Sequence, residues 1–269
     1  MEISSGGFIM LLTADVGNTN IKLGIFDGDK LVHKMRFSTD TGKTSDEFAV
    51  VLYAFFQVYN IYVGVIDASI ISSVVPKATQ PLRDAIKIVT GKKSFIIGPG
   101  LKTGMDLKID RPETLGGDIV CGCVGAFEKY GGPLVMIFMG TATVLAYVDE
   151  NFAYRGGVIA PGVGISLDAL TQNGALLPSV DLRAPKNVIC TNTVDCIRSA
   201  MTYGSACMID GLIDKFCEEK GKECKIIATG GLAESIVCNC RHEITYDENI
   251  ILEGLNNIYQ KNDSKKRMQ

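Results

Sequence analysis

The feature that most constrains the fold is a strand–turn–strand pattern that occurs twice in the chain. The first copy has its turn at residues 15–20, between two apolar segments, and the second has its turn at residues 140–143. Gly17 corresponds to Gly140, so the two copies are offset by 123 residues. This offset is far longer than the periods of solenoid proteins and predicts two similar domains. We place their boundary at the glycine- and proline-rich segment 131–133.

The first turn carries the residue types that bind a phosphate together with a divalent cation. Asp15 supplies a carboxylate, Gly17 lets the backbone approach a ligand, and Lys22 supplies a positive charge. Free backbone N–H groups in a tight turn bind anions, and magnesium takes oxygen ligands while keeping several waters. The alternative is an ordinary hairpin turn rich in Asn and Gly. The second copy lacks both charges, because the apolar residues Phe138 and Leu145 stand at the corresponding positions.

The composition excludes several classes of protein. Of the 269 residues, 46% are hydrophobic and 21% are charged, as in globular proteins. The net charge of −3 provides no basic surface for nucleic acid. No apolar segment reaches membrane-spanning length, and the N-terminus lacks the features of a secretory signal. The nine cysteines lack zinc-site spacing, so we expect reduced thiols in the cytoplasm.

Turn residues and hydrophobic periodicity predict strands alternating with helices in both halves of the chain. Outside the repeated pattern, the predicted strands are residues 30–39, 67–75, 94–97, 153–159 and 225–228, and the predicted helices are residues 45–59, 77–90, 113–130, 166–173, 193–219 and 249–259. Residues 101–112 are predicted to form a long loop, a kind of segment that is often functional. Small residues in the middle of helix 193–219 favour close packing, either within its domain or against a second copy of the chain.

Several short segments carry a resemblance to a known family. They are residues 15–22, 38–40, 98–104, 115–118, 140–143, 156–162, 177–178, 192–193 and 229–231. In these segments, and from Leu11 to about Tyr259 as a whole, the chain resembles the type III pantothenate kinases. That family belongs to the acetate kinase/hexokinase/actin-like ATPase superfamily and is related to the Bvg accessory factors.

The resemblance implies an α/β fold of two similar ribonuclease H-like domains, with mixed sheets flanked by helices and a nucleotide cleft between the domains. The N-terminal ATPase-like domain would span residues 10–131 and the C-terminal one residues 132–260, with flexible ends at 1–9 and 261–269. The implied reaction is the ATP-dependent phosphorylation of the primary hydroxyl of pantothenate to 4′-phosphopantothenate, the first step of coenzyme A biosynthesis. The resemblance also implies magnesium, a monovalent cation (potassium or ammonium) and a homodimer.

The resemblance assigns roles to individual residues. Asp118 would be the general base that takes the hydroxyl proton, and Asp15 would hold magnesium through water. The expected nucleotide-binding residues are Asp15, Val16, Gly17, Asn18, Thr19, Asn20, Ile21, Lys22, Thr141 and Gly230. The expected substrate-binding residues are Gly116, Gly117, Asp118, Ile119 and, at the dimer interface, Thr193. From the residues alone, Asp118 is better explained as a charge that stabilises a helix N-terminus.

Three positions depart from the family pattern, because apolar residues replace polar ones. Ile119 follows Asp118 where the family has an arginine, and Ile109 stands where the family has a tyrosine that contacts the substrate. Phe138 occupies the position of the aspartate that binds the monovalent cation, so we expect this cation site to be lost. Two alternatives to an active pantothenate kinase stay open: a catalytically impaired relative with a regulatory or binding role, and a kinase of another small alcohol.

Overall fold

The computed structural model describes residues 10–174 and 177–263. The strands are β1 (Met10–Val16), β2 (Asn20–Asp27), β3 (Lys30–Ser38), β4 (Ile66–Ser73), β5 (Ser94–Ile96), β6 (Asp106–Leu107), β7 (Leu134–Met139), β8 (Ala142–Val148), β9 (Ala153–Pro161), β10 (Lys225–Thr229) and β11 (Thr245–Tyr246). The helices are α1 (Ser45–Val58), α2 (Pro76–Thr90), α3 (Gly117–Tyr130), α4 (Val163–Asn173), α5 (Thr193–Ser199), α6 (Ser205–Lys220), α7 (Ala233–Val237) and α8 (Ile250–Asp263). In the part of the chain that the structure describes, no helix combines the length and apolar character that crossing a membrane requires.

The chain divides into two compact units that are not its two contiguous halves. Within the described residues, the first unit comprises 10–104, 113–125 and 250–263, and the second comprises 105–112, 126–174 and 177–249. Helix α8 belongs to the first unit, whereas the sequence analysis assigned it to the C-terminal domain. A side chain on Gly254 of α8 would collide with the Cys121 carbonyl of α3, so the two helices meet backbone to backbone. This close contact has no signature in hydrophobic periodicity.

Each unit contains one mixed sheet, and the two sheets repeat the same strand order. In the first unit the order is β3–β2–β1–β4–β5, with an antiparallel meander of three strands followed by two parallel strands. In the second unit the order is β11–β10–β7–β8–β9–β6, in which β7, β8 and β9 form the meander. Strand β3 begins at Lys30 and β9 at Ala153, which again gives the offset of 123 residues. The predicted α/β fold with two similar mixed sheets is confirmed.

In the first unit, the side chains of β1 point alternately to the hydrophobic core and to the other face of the sheet. Leu12, Ala14 and Val16 pack in one cluster with Phe48 of α1. Because successive side chains of a strand point to opposite faces, Asp15 lies on the face away from this cluster. The fold therefore directs a single carboxylate at the end of β1 away from the apolar layer.

The second unit repeats this arrangement with an apolar residue at the equivalent place. Val135, Ile137 and Met139 of β7 pack in one cluster with Ile209 of α6. Phe138 falls between them in sequence and points to the opposite face. In each unit this equivalent residue lies on the face of its own sheet away from the apolar cluster, and it is charged in the first unit and aromatic in the second.

Three parts of the structure differ from the sequence prediction. The predicted helix 193–219 is divided into α5 and α6 by a π-helical turn at Ala200–Gly204. The predicted loop 101–112 contains β6, which pairs with β9, and the predicted helix at 113 starts as a 3-10 turn, Pro112–Thr114, before α3. Strands β6 and β11 have two residues each, too few for a periodic pattern.

The two ends of the chain were predicted to be flexible. Residues 1–9 and 264–269 lie outside the described residues, and Lys261–Asp263 belong to α8. The Asn262 side chain there exchanges hydrogen bonds with the Lys102 backbone. All nine cysteines are free thiols.

Candidate active site

The first turn is fixed by hydrogen bonds from its own hairpin and from the residue after β3. The Gly17 N–H donates to the Asn20 carbonyl over 3.0 Å and closes the turn. The Thr39 hydroxyl donates to the Gly17 carbonyl over 2.6 Å, and the Thr39 N–H donates to the Thr19 carbonyl over 2.9 Å. The side chains of Asn18 and Thr19 are exposed, so this edge of the turn is open to a ligand.

Asp15 lies at the base of this turn, opposite Lys22 on β2 and Ser72 on β4. Its side chain is buried, with 8% of the residue exposed. The pKa of Asp15 is raised to about 7: burial is the largest cause, the charge of Asp118 also raises it, and Lys22 lowers it. Among the described residues, no group donates a hydrogen bond to Asp15 Oδ1.

The two remaining apolar residues of the predicted nucleotide motif have a structural role. Val16 and Ile21 pair across the hairpin and are fully buried in the core of the first unit. Their side chains therefore support the turn, and only their backbone groups are available for a ligand.

Asp118 lies in the first turn of α3, in the same unit as Asp15. Its Oδ1 accepts a hydrogen bond of 2.9 Å from the Ile119 N–H. Burial nevertheless raises the pKa of Asp118 above its usual range. A Cβ on Gly116 would lie 2.5 Å from Asp118 Oδ1, and one on Gly117 would lie 3.2 Å from Ser72 Oγ. Gly116 thus leaves room for the carboxylate of Asp118, and Gly117 leaves room for the hydroxyl of Ser72.

The structure therefore brings the buried carboxylate of Asp15 and the partly buried carboxylate of Asp118 together at the base of an open turn. The helix dipole would stabilise an ionised Asp118, but desolvation dominates, so a simple helix-capping charge does not account for it. An unpartnered carboxylate oxygen on Asp15, beside a second carboxylate, suits a divalent cation with oxygen ligands. Asp15 therefore fits the predicted magnesium site.

The second turn is closed by backbone hydrogen bonds. The Gly140 N–H donates to the Ala142 carbonyl over 3.0 Å, and the Gly162 N–H donates to the Thr141 carbonyl over 3.1 Å. A side chain on Gly162 would collide with the Gly140 carbonyl. Gly230 has a φ of +122°, and a side chain there would collide with the strand that leads into this turn. Thr141 is exposed, and Gly230 lies against the backbone of Met139, the residue before the turn.

The position predicted for the monovalent cation is occupied by an aromatic side chain. Phe138 is 6% exposed and lies between Val144 of β8 and Thr229 of β10 in the sheet register. A phenyl ring offers no oxygen ligand to a hard cation. The register also shows that Val144, rather than Leu145, is the counterpart of Lys22, so the sequence alignment was wrong at this position.

The remaining positions singled out by the sequence analysis are distributed over both units. Thr193 is the first residue of α5 in the second unit, where the Asn192 side chain caps the helix. Ile109 lies in the second unit against Gly156. Ile119 belongs to the first unit and is buried.

Sequence reasoning missed two residues that contact this site. Thr39 lies in a segment that carries the family resemblance, but its bond to the turn was not foreseen. Ser72 is fully buried beside Asp15 and was read as part of an apolar strand. A serine at the carboxyl end of a buried strand was the available signal, because parallel strands bring these ends together.

Comparison with solved structures shows that other proteins share this fold. The (R)-2-hydroxyglutaryl-CoA dehydratase component A from Acidaminococcus fermentans has a TM-score of 0.56 at 15% identity, covering 93% of this chain and 97% of that one. The ROK hexokinase from Thermus thermophilus has a TM-score of 0.51 at 13% identity, covering 94% and 99%. At these identities the similarity shows the fold alone, which is an α/β fold with two mixed sheets.

Sequence comparison identifies the family. The family model described as Type III pantothenate kinase matches residues 11–215. A Type III pantothenate kinase from Exiguobacterium sp. (strain AT1b) is 40% identical over 253 residues, which covers 94% of this chain and 99% of the relative. The chain belongs to the type III pantothenate kinase family.

Proposed function

We propose that this chain catalyses the ATP-dependent phosphorylation of the primary hydroxyl of pantothenate to 4′-phosphopantothenate, in the cytoplasm. The name of the Exiguobacterium relative supports this reaction, since that protein aligns with 94% of the chain. One structural observation carries the proposal: the buried Asp15 and the partly buried Asp118 lie together at the base of an open turn, and desolvation raises the pKa of both. Perturbed carboxylates of this kind are common at catalytic sites.

Asp118 is the residue that accepts the proton of the attacking hydroxyl. A carboxylate whose pKa is raised is a stronger base, and general-base catalysis typically contributes about 10²–10⁴-fold. As the hydroxyl oxygen bonds to the γ-phosphorus and the bond to the ADP oxygen breaks, the hydroxyl proton moves to Asp118. Gly116 and Gly117 admit the substrate beside this carboxylate, because a side chain at Gly116 would displace it.

The first turn binds and orients the phosphates. Its backbone N–H groups and Lys22 supply positive charge, and Asp15 is the residue that would hold magnesium. Magnesium, when bound, neutralises charge on the phosphoryl group during transfer. We assign the remaining contacts as follows: nucleotide to Val16, Gly17, Asn18, Thr19, Asn20, Ile21, Thr141 and Gly230, and substrate to Gly116, Gly117, Ile119 and Thr193.

Turnover proceeds without a monovalent cation and in a homodimer. Phe138 supports turnover without a monovalent cation, because it removes the oxygen ligand at the expected cation position.

Exposed apolar side chains of the second unit support assembly into a homodimer, since exposed apolar surface commonly marks interfaces. They are Ile159, Ile165, Leu170, Val188 and Ile189. Light scattering on the purified protein tests the assembly, and a monomeric mass would contradict it.

A coupled ADP-release assay with ATP, magnesium and pantothenate tests the reaction. We expect pantothenate-dependent turnover in the wild type and a loss of at least about 100-fold in Asp118→Asn. The matched control is Asp46→Asn, which makes the same chemical change at an exposed aspartate in the first turn of α1. Its rate is expected to equal that of the wild type.

The same assay separates the proposal from its alternatives. Folded wild type that releases no more ADP with pantothenate than without it would contradict the proposed reaction. Turnover with other small alcohols but not with pantothenate would favour a different substrate. The sequence comparisons do not favour an inactive relative, because the chain aligns with named kinases over nearly its whole length.

A further inference from the structure

Ser72 is a buried polar residue beside the candidate active site. It lies on β4, and its register partner on the parallel strand β1 is Asp15. Register partners in a sheet point to the same face, so both side chains lie on the face away from the hydrophobic core. Ser72 Oγ is also 3.2 Å from the place that a Cβ on Gly117 would occupy. The hydroxyl therefore lies between Asp15 and the segment that leads to Asp118.

Two polar atoms on these neighbouring residues lack a hydrogen bond. Within residues 10–174 and 177–263, neither Ser72 Oγ nor Asp15 Oδ1 has a hydrogen-bond partner, although both atoms are buried. Burial raises the pKa of the neighbouring Cys121 thiol, and a side-chain hydrogen-bonding contact with Ser72 acts to lower it, but this contact does not meet the geometry of a regular hydrogen bond. Buried polar groups are nearly always paired, so an exception of this kind calls for a functional explanation.

The other serines of β4 show that an unpaired hydroxyl is not general in this strand. Ser69 Oγ donates to Ser94 Oγ over 2.7 Å. Ser73 Oγ accepts hydrogen bonds from the Val75 N–H over 3.1 Å and from the Thr79 hydroxyl over 2.7 Å. Both of these hydroxyls stabilise the local fold, whereas Ser72 contributes no hydrogen bond to it.

We propose that Ser72 is a positioning residue for Asp15: with magnesium bound, its side chain turns about χ1 so that the hydroxyl donates to Asp15 Oδ1. Such a turn moves a single atom between staggered positions, and a bond to a carboxylate is among the stronger hydrogen bonds. The bond directs the other carboxylate oxygen toward the turn. This inference rests on the proposed function, because it assumes that Asp15 holds magnesium with a nucleotide.

The test uses Ser72→Ala, with Ser69→Ala as the matched control on the same strand. Binding of ADP is measured by calorimetry, once with magnesium and once with EDTA. For Ser72→Ala we expect binding about tenfold weaker with magnesium and unchanged with EDTA. For Ser69→Ala we expect wild-type binding under both conditions.

Thermal unfolding of the ligand-free proteins gives the opposite ranking. Ser72→Ala removes an unpaired hydroxyl, so its melting temperature is expected within about 2 °C of the wild type. Ser69→Ala breaks a buried hydrogen bond and is expected to melt lower by about 3–5 °C.

Each outcome separates this inference from the proposed function. If the wild type binds magnesium and ADP and Ser72→Ala binds equally well, only the role of Ser72 is overturned. A loss in Ser72→Ala that is equal with and without magnesium would also overturn it. A wild type that shows no magnesium-dependent ADP binding would overturn the proposed function and this inference together.

Discussion

The two turns of this chain share a scaffold and differ in charge. Each follows the first strand of a meander, and the two sheets continue in the same strand order. The first turn has Asp15 at its base, opposite Lys22, whereas Phe138 fills the equivalent position of the second. The comparison teaches that duplication supplied the same backbone framework twice. The residue types that can perform acid–base and cation chemistry belong to the first copy.

The turns also differ in how they are held. The first is closed by a bond between residues three apart, Gly17 and Asn20, and is held by the Thr39 side chain. The second is closed by a bond between residues two apart, Gly140 and Ala142. Backbone contacts from glycines replace the side chain there. A tighter turn leaves less room for neighbouring side chains, and glycines therefore occupy the adjacent positions 162 and 230.

Removing the carboxylate of Asp15 is expected to have the largest effect, and it tests whether the two turns differ in function. Asp15→Asn keeps the shape of the side chain but removes the carboxylate, so we expect kcat/KM to fall by about 10³-fold. The matched change in the second copy is Phe138→Leu, which keeps the site apolar and is expected to change kcat/KM by less than about threefold. Initial rates in the ADP-release assay measure both. Similar losses in the two variants would contradict the comparison.

The support of the second turn can be disrupted at Gly230. Gly230→Ala places a Cβ against the backbone of β7 at a φ of +122°, so we expect the free energy of unfolding to fall by about 3–4 kcal/mol. Gly17 has no positive φ, and a Cβ there would lie 3.2 Å from the Asn20 carbonyl. Gly17→Ala is therefore expected to cost about 1 kcal/mol. Urea unfolding measures both values, and the reverse ranking would contradict this account.

Buried charge in the first unit predicts a pH dependence of stability. The pKa of Asp15 is raised from 3.8 to about 7, so the folded protein holds a proton that the unfolded chain has released. The contribution of this group to stability is fully present below about pH 4 and is lost as the pH rises to about 7, by on the order of 4 kcal/mol. We expect Asp15→Asn to flatten this slope in ligand-free protein. A slope that the substitution leaves unchanged would show that other groups cause it.

The smallest expected effect concerns the side chain that holds the first turn. Thr39→Val removes the hydrogen bond to the Gly17 carbonyl but keeps the backbone bond to Thr19. Loss of one such bond is worth about 1 kcal/mol, so we expect the KM for ATP to rise by about fivefold. Thr39→Ser retains the hydroxyl and is expected to restore the wild-type KM. Equal KM values in the valine and serine variants would show that the Thr39 hydroxyl does not contribute to ATP binding.

Much of the fold could be predicted from local patterns. Strands β1 and β7 are continuous apolar segments that end in turn residues, and α1 starts where Thr44 and Glu47 form a capping box. Such signals depend on a few neighbouring residues, so the sequence alone contains them. The fold class and the duplication followed from them.

The arrangement of the site depends on contacts between distant parts of the chain. Asp15 and Asp118 come together because Gly117, at the start of α3, lies next to Ser72 of β4, and α8 reaches α3 through the close contact at Gly254. No periodicity encodes such contacts. The sequence suggested Asp15 and Asp118 by residue type and resemblance, but it did not indicate Ser72, whose importance appears only from its register with Asp15.

The central claim is that the first copy performs the phosphoryl transfer and the second has lost its cation site. The most direct measurement is the initial rate of pantothenate-dependent ADP release with magnesium, in buffers that contain potassium, ammonium or only choline. This account predicts the same rate in all three buffers and a loss of that rate in Asp118→Asn. A rate that requires potassium or ammonium, or that survives in Asp118→Asn, would contradict it.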